Sequence, residues 1–306
     1  MALTLLVGGG RSISSLRDLP FAAESRPALP LRVITHNIRY AATDLFEGER
    51  PWSERAPLVL NQLQHEVRHV VPTVATGDLT NASPSYPGAF ICLQEKAEPA
   101  SGPVWKHIGV GRDDGKRKGE YSPIIYPVQL LELLHHETSI RLFTVGVFEH
   151  RRTRRRVLAA NTYLDNAGSE SRRESVAIIL RTLQRVHGKW AAGGNETLGI
   201  VLVGDFNSFT TQEAYVAMRE SGYLRNLHEE VALMARYGDI ITFTGFGPDQ
   251  HKDEQGGIDF VWLGPADKPG AESISKPEGY AVLPNLFEAG VYLSGHRAVV
   301  GDVTLL

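Results

Sequence analysis

Six short polar motifs stand where apolar, strand-like runs end. Asn37 follows Thr35-His36, and Glu95 closes Cys92-Leu93-Gln94. Tyr163 lies in Asn161-Thr162-Tyr163-Leu164-Asp165-Asn166, and Asp205 and Asn207 lie in Gly204-Asp205-Phe206-Asn207. Asp259 follows Gly256-Gly257-Ile258, and His296 sits in Ser294-Gly295-His296-Arg297. Strand interiors favour β-branched and aromatic residues, so polar groups collected at strand ends mark the rim of a site. If those ends converge, they surround a pocket with carboxylates, carboxamides and one imidazole. Carboxylate and carboxamide oxygens are hard donors that suit Mg²⁺ or Mn²⁺. Such a cation polarises a phosphoryl oxygen and stabilises a leaving oxygen. An Asp beside an Asn can orient and deprotonate a water. A His held by a second Asp can stay protonated and hydrogen-bond phosphoryl oxygens. This chemistry requires no Ser–His–Asp or Cys–His nucleophile.

The elements that must carry these residues follow from periodicity. Leu31–Thr35, Ala89–Leu93, Tyr121–Tyr126, Arg141–Phe148, Arg156–Tyr163, Leu198–Val203, Ile258–Leu263 and Arg297–Val303 read as strands. Val59, Leu60, Leu63, Val67 and Val70 recur at helical spacing behind Ser53, a candidate cap. Ser171 with Glu174, and Thr210 with Glu213, form capping boxes ahead of two further helices. Strands outnumber helices and adjoin one another, so the expected class is α+β, with two packed sheets and helices outside rather than a regular βαβ array.

Composition narrows the function further. The 306 residues are 42% hydrophobic, enough for a core without staples. One cysteine, Cys92, excludes a disulfide framework and multi-cysteine metal sites. A net charge of -3 disfavours nucleic acid as the partner. No apolar run approaches the ~18 residues of a membrane helix, and nothing identifies a protein partner. Residues 1–30 read as a flexible leader and residues 31–306 as a single domain. Ala2–Val7 follows no basic residue, so a cytoplasmic location is expected, with secretion the alternative. The sequons at Asn81 and Asn195 are short enough to arise by chance.

The motifs together resemble the endonuclease/exonuclease/phosphatase superfamily, the deoxyribonuclease-I-like fold. They are HN at 36–37, LQE at 93–95, GEYSPIIY at 119–126, NTYLDN at 161–166, GDFN at 204–207, IDFVW at 258–262 and SGHRAV at 294–299. The resemblance runs from about residue 31 to the C-terminus. It implies a four-layer sandwich of two packed mixed β-sheets flanked by helices. It implies Glu95 as ligand of Mg (or Mn), Asn37 and Asn207 as phosphate or metal contacts, Asp205 as water-orienting base, and an Asp259–His296 pair. By motif position it places Glu120 beside the substrate. Three departures stand out. Tyr163 replaces a common His, as in abasic-site endonucleases, and Gly295 replaces a common Asp. A Trp-containing insertion after GEYSPIIY is absent, so His135–Thr138 runs directly into Ser139–Val145.

The implied function is Mg-dependent hydrolysis of a small-molecule, non-nucleic-acid phosphate ester. The alternatives are a member repurposed for another reaction or for binding through Tyr163 and Gly295, and a nuclease. Plainer readings stand beside these. His65-Glu66-Val67-Arg68-His69 matches a zinc-protease pattern, but both histidines fall opposite the apolar stripe and read as solvated. The run Arg151–Arg156 reads as a hairpin tip. Phe260 and Trp262 read as core, Tyr163 equally as strand-end packing, and Glu120 equally as surface.

Overall fold

The structure, a computed structural model, describes residues 26–68, 87–95, 104–116, 118–139, 143–191, 198–247, 256–266, 273–287 and 290–306. The strands are β1 (Leu29–Asn37), β2 (Gly88–Gln94), β3 (Trp105–Ile108), β4 (Ile124–Pro127), β5 (Leu131–Ser139), β6 (Phe143–His150) and β7 (Arg156–Tyr163). They continue with β8 (Gly199–Asp205), β9 (Arg225–Asn226), β10 (Arg236–Tyr237), β11 (Asp259–Gly264), β12 (Ser275–Val282) and β13 (Val299–Leu305). The helices are α1 (Trp52–Val67), α2 (Ser169–Ala191), α3 (Glu213–Glu220) and the single turn α4 (Leu227–Glu230). Among the described residues, no helix is long and apolar enough to cross a membrane.

Two mixed sheets result. One runs β10-β12-β13-β1-β2-β4-β3 and the other β5-β6-β7-β8-β11-β9. Alternation along the strands divides the second sheet into two faces. Val157, Ala159, Val201, Val203, Val261 and Leu263 pack with β1 and β2 residues of the first sheet and form the core between sheets. Leu158, Ala160, Ile200, Leu202, Phe260 and Trp262 pack with α2 and α3 on the outer face. Val59, Leu63 and Val67 of α1 join the core on the side of the first sheet. The expected α+β sandwich of two packed sheets is therefore the observed architecture, and Phe260 and Trp262 are core as expected.

The helix starts differ from expectation. α1 begins at Trp52 behind Pro51, whose φ of -53° already suits helix entry, and Ser53 makes no cap. Leu60 is 55% exposed, while Arg55 and Gln62 are buried in its place. α2 begins at Ser169 because Asp165 Oδ1 accepts hydrogen bonds from the Ala167 and Gly168 amides and turns the chain in earlier. Thr210 lies outside α3, where Ser208 Oγ instead accepts from the Ala214 amide. The final strand is shifted two residues, to Val299–Leu305. β3, β5, β9, β10 and β12 were not expected.

The shortened segment after GEYSPIIY carries β5, whose pairing is irregular between Leu133 and His135. β5 pairs antiparallel with β6 from Leu131↔His150 to Ser139↔Phe143. The Arg151–Arg155 turn joins β6 to β7, and its cations are engaged by their own chain. Arg151 binds Glu132 and the Val128 carbonyl, Arg154 binds Glu149, and Arg155 binds the carbonyls of Arg26, Pro27 and Leu306. His65 is exposed on α1; His69, Asn81 and Asn195 lie outside the described residues.

Candidate active site

Register builds the site. β7 and β8 are parallel with Tyr163 opposite Asp205, and β8 and β11 are antiparallel with Asp205 opposite Asp259. Three residues thus form one row across three strands. Their parity matches the inner-face core residues, so the row faces the other sheet. There, Asn37 ends β1 opposite Gln94 of β2. The loop before β13 brings His296 over the row.

The hydrogen bonds are continuous. Asn37 Nδ2 donates to Glu95 Oε1 at 3.0 Å and to Asp205 Oδ2 at 2.9 Å. Its Oδ1 accepts from the Arg39 amide at 3.0 Å. Asn37 is fully buried, with both amide protons engaged, so it spaces the two carboxylates. Tyr163 Oη donates to Glu95 Oε1 at 2.9 Å. The Asn207 amide donates to Asp205 Oδ1 at 2.8 Å, and Asn207 Nδ2 is tied to the Leu164 carbonyl. His296 Nδ1 donates to Asp259 Oδ2 at 3.0 Å, and its Nε2 lies 3.7 Å from Asp205 Oδ2. Thr242 Oγ1 accepts from the amides of Ile258 and Asp259, which fixes the start of β11.

A cleft of about 760 Å³ opens above this network. Glu95, Tyr163, Asp205, Asn207, His296 and Glu120 line it. Asn37 and Asp259 stand behind the lining. Glu120 is paired with Arg112 at 2.8 Å on the rim. Arg39, Phe46, Phe243 and Phe246 also line the cleft. Motif reading missed these four because they sit in loops without strand periodicity. Gly295 lies among them: a Cβ there would stand 3.4 Å from both the Phe243 and Phe246 rings. The position that commonly carries Asp faces an aromatic wall.

Backbone strain collects at the same place. Among the described non-glycine residues, positive φ occurs at Arg39, Glu95, Arg154 and Asn207, and three of these line the cleft. Each such residue costs about 1–3 kcal/mol and persists only where its surroundings hold it. Gly204, with φ +144°, is required just before Asp205, since a Cβ would lie 2.0 Å from the Thr162 carbonyl oxygen.

Burial and charge set the proton inventory. Burial and the neighbouring Asp259 charge raise the Asp205 carboxyl to about 7, against the opposing pull of His296, Asn37 and Asn207. Burial works against a charged His296, but Asp259, Asp205 and Glu95 outweigh it and raise the imidazole to about 9. Burial keeps the Tyr163 proton in place, as do the charges of Glu95 and Asp205, so the phenol is a neutral donor. His36, whose Nε2 donates to the His296 carbonyl, is pushed the other way by burial, down to about 4.

Two groups of side chains have the atoms to hold a cation. Asp205, Asp259 and His296 bring ligand atoms within 4.8 Å of one another. His296 is engaged there as a cation hydrogen-bonded to Asp259, and a protonated imidazole has no lone pair for a metal. Glu95 fits better. Its Oε2 is buried, makes no hydrogen bond and borders the cleft, while Tyr163 and Asn37 fix its other oxygen.

The same fold occurs in solved structures. An endonuclease/exonuclease/phosphatase family protein from Bacteroides thetaiotaomicron is 22% identical with a TM-score of 0.71, over 92% of this chain and 97% of that one. A second, from Bacteroides vulgatus, is 23% identical with a TM-score of 0.71, over 90% and 99%. A mannosyl-6-phosphatase from Bacteroides thetaiotaomicron is 23% identical with a TM-score of 0.68, over 89% and 99%. No protein-family model and no curated protein matches the sequence. The chain thus has the endonuclease/exonuclease/phosphatase fold.

Proposed function

We propose that this protein is a divalent-metal-dependent hydrolase of small phosphate esters. The observation that carries the reading is the row Tyr163–Asp205–Asp259 facing Asn37, Glu95 and His296 across one cleft. Glu95 would hold Mg²⁺ or Mn²⁺ through Oε2, the oxygen that makes no hydrogen bond. Bound there, the cation would polarise a phosphoryl oxygen and stabilise the leaving oxygen. The chain supplies the remainder. Asp205, oriented by Asn37 and the Asn207 amide, accepts a proton from water, and a carboxyl raised to about 7 is matched to that task near neutral pH. The water oxygen bonds to phosphorus as the bond to the leaving alcohol oxygen breaks. That oxygen takes up a proton from solvent, leaving alcohol and phosphate. His296, kept charged by Asp259, stabilises the growing negative charge on the phosphoryl oxygens. Tyr163 keeps Glu95 in place as a neutral donor.

A small substrate is supported by the engagement of the Arg151–Arg155 cations within the chain and by the overall charge of -3. The likeness to a mannosyl-6-phosphatase supports the same class. A panel of phosphomonoesters, phosphodiesters and single-stranded DNA, assayed with Mg²⁺, Mn²⁺ and EDTA, tests the proposal. Metal-dependent release of phosphate from small esters is expected. Turnover that EDTA leaves intact, or confinement of activity to DNA, would overturn it.

A further inference from the structure

Arg39 lies two residues beyond β1, in left-handed backbone with φ 51°, on the wall of the cleft beside Glu95. Its guanidinium carbon lies 4.5 Å from the centroids of both the Tyr40 and Phe46 rings. Phe46 in turn stacks on Phe246. Nη1 stands 3.7 Å from Glu95 Oε2, and Nε stands 3.7 Å from Glu49 Oε2. Both are ion pairs too long to be hydrogen bonds. Nε is buried without an acceptor among the described residues.

The contrast with Arg55 is instructive. Arg55 binds Glu49 from the other side and donates to the carbonyls of Arg50, Ile38 and Leu293. It is a structural cation with its donors engaged, and it fixes the loop that presents Arg39. Gly48, at φ +79°, packs that loop onto the Phe246 carbonyl, 2.2 Å from where a Cβ would stand. Arg39 therefore stands on the cleft wall against two rings, with ion pairs too long for hydrogen bonds and a buried Nε that has no acceptor among the described residues.

We propose that Arg39 receives a non-bridging phosphoryl oxygen of the substrate and selects phosphomonoesters over diesters. The inference rests on the phosphoesterase reading above. A monoester presents three non-bridging oxygens. His296 and the Glu95 side account for two, and Arg39 faces the third. A diester would set an ester group against this cation and leave its donors unpaired, which penalises the wrong ligand. The planar fork suits phosphate oxygens and the rings preorganise it.

Arg39→Met retains the aliphatic stem between the rings, and Arg39→Lys retains charge without the fork; thermal melting reports that each folds. In Arg39→Met, kcat/KM with Mn²⁺ should fall about 10²-fold on p-nitrophenyl phosphate. On bis-p-nitrophenyl phosphate it should change by less than about threefold, within the few-fold spread of an uninvolved contact. Calorimetry should show inorganic phosphate binding about tenfold more weakly, with Mn²⁺ binding undiminished. Arg39→Lys should fall between wild type and Arg39→Met, and it carries the phosphate measurement if Arg39→Met does not fold. Unchanged phosphate affinity, equal loss on both esters, or weakened Mn²⁺ binding would overturn the proposal. If the wild type hydrolyses neither ester with any metal, the phosphoesterase reading fails. The phosphate titration still decides whether Arg39 is an anion receptor.

Discussion

The inner face of β7, β8 and β11 is apolar at one end and acidic at the other. Val157, Ala159, Val201, Val203, Val261 and Leu263 are sealed between the sheets. Further along the same parity stand Asn161, Tyr163, Asp205 and Asp259. The strands run on across the boundary, with Gly204 at φ +144° just before Asp205, and the side-chain chemistry changes. The apolar end holds the strands rigid, and the polar end uses that rigidity to keep two buried carboxylates close together. Such burial is unfavourable unless the charges are compensated. Asn37, His296 and the Asn207 amide provide the compensation. Between the two regimes, Gln94 Nε2 donates to Asn161 Oδ1 at 2.7 Å, and Asn161 Nδ2 donates to the carbonyls of Leu93 and Pro123. This polar stitch joins the two sheets where the dry core ends.

Substitutions at the two ends should separate chemistry from stability. His296→Ala should lower turnover on the best phosphate ester by ~10²–10⁴ in protein that thermal melting shows is still folded, a loss beyond any cost in stability from the uncompensated Asp259. Wild-type turnover would remove His296 from the proposed mechanism. Val203→Ala should do the reverse, destabilising the fold by about 2 kcal/mol in urea titration while kcat remains close to wild type. A large loss of kcat without loss of stability there would break the contrast between the two ends.

The pH profile sharpens the comparison. Turnover should rise as pH passes about 7, where Asp205 loses its proton, and fall above about 9, where His296 loses its own. A bell between those limits is expected, and a flat profile from pH 6 to 10 would contradict the assignment. His36, one hydrogen bond from the His296 backbone but surrounded by core, should affect stability instead. Its folded value of about 4 lies below the ordinary 6.5, so the unfolded chain binds more protons between those values. Its contribution is fully present above pH 6.5 and is lost as pH falls toward 4.

The residues that ended apolar runs were legible because strand register fixes where they go. Asn37, Tyr163, Asp205 and Asp259 converge for that reason, Glu95 and Asn207 follow just past strand ends, and the loop before β13 adds His296, with Asp259 and Asn37 behind the cleft surface. Arg39 was not legible, because its position depends on a loop fixed by Arg55 and Gly48 from elsewhere in the chain. Strands at or next to the sheet edges were missed for a related reason. β5 carries Glu132, His135, His136 and Glu137, and β12 carries Lys276, Pro277 and Glu278. An edge needs no apolar alternation on an exposed face. The capping boxes failed where Asp165 and Ser208 bind the backbone ahead of the expected residues.

The smallest expected effect concerns the aromatic wall. Gly295→Asp should lower the Mg²⁺ concentration for half-maximal activity several-fold, because it adds a hard oxygen donor beside a cation held by few carboxylates. Its Cβ reaches ordinary contact with Phe243 and Phe246, so the fold should accept it. Unchanged metal dependence would mean that the glycine serves the substrate rather than marking a lost ligand.

The central claim is that the strand ends form a phosphate site whose cation rests on Glu95. Crystals soaked with Mn²⁺ and inorganic phosphate test it most directly, read by anomalous diffraction at the manganese edge. One peak within coordination distance of Glu95 Oε2, with phosphate density between Arg39 and His296, is the result the account predicts. A peak on Asp205, Asp259 and His296, with Glu95 bare, would contradict it.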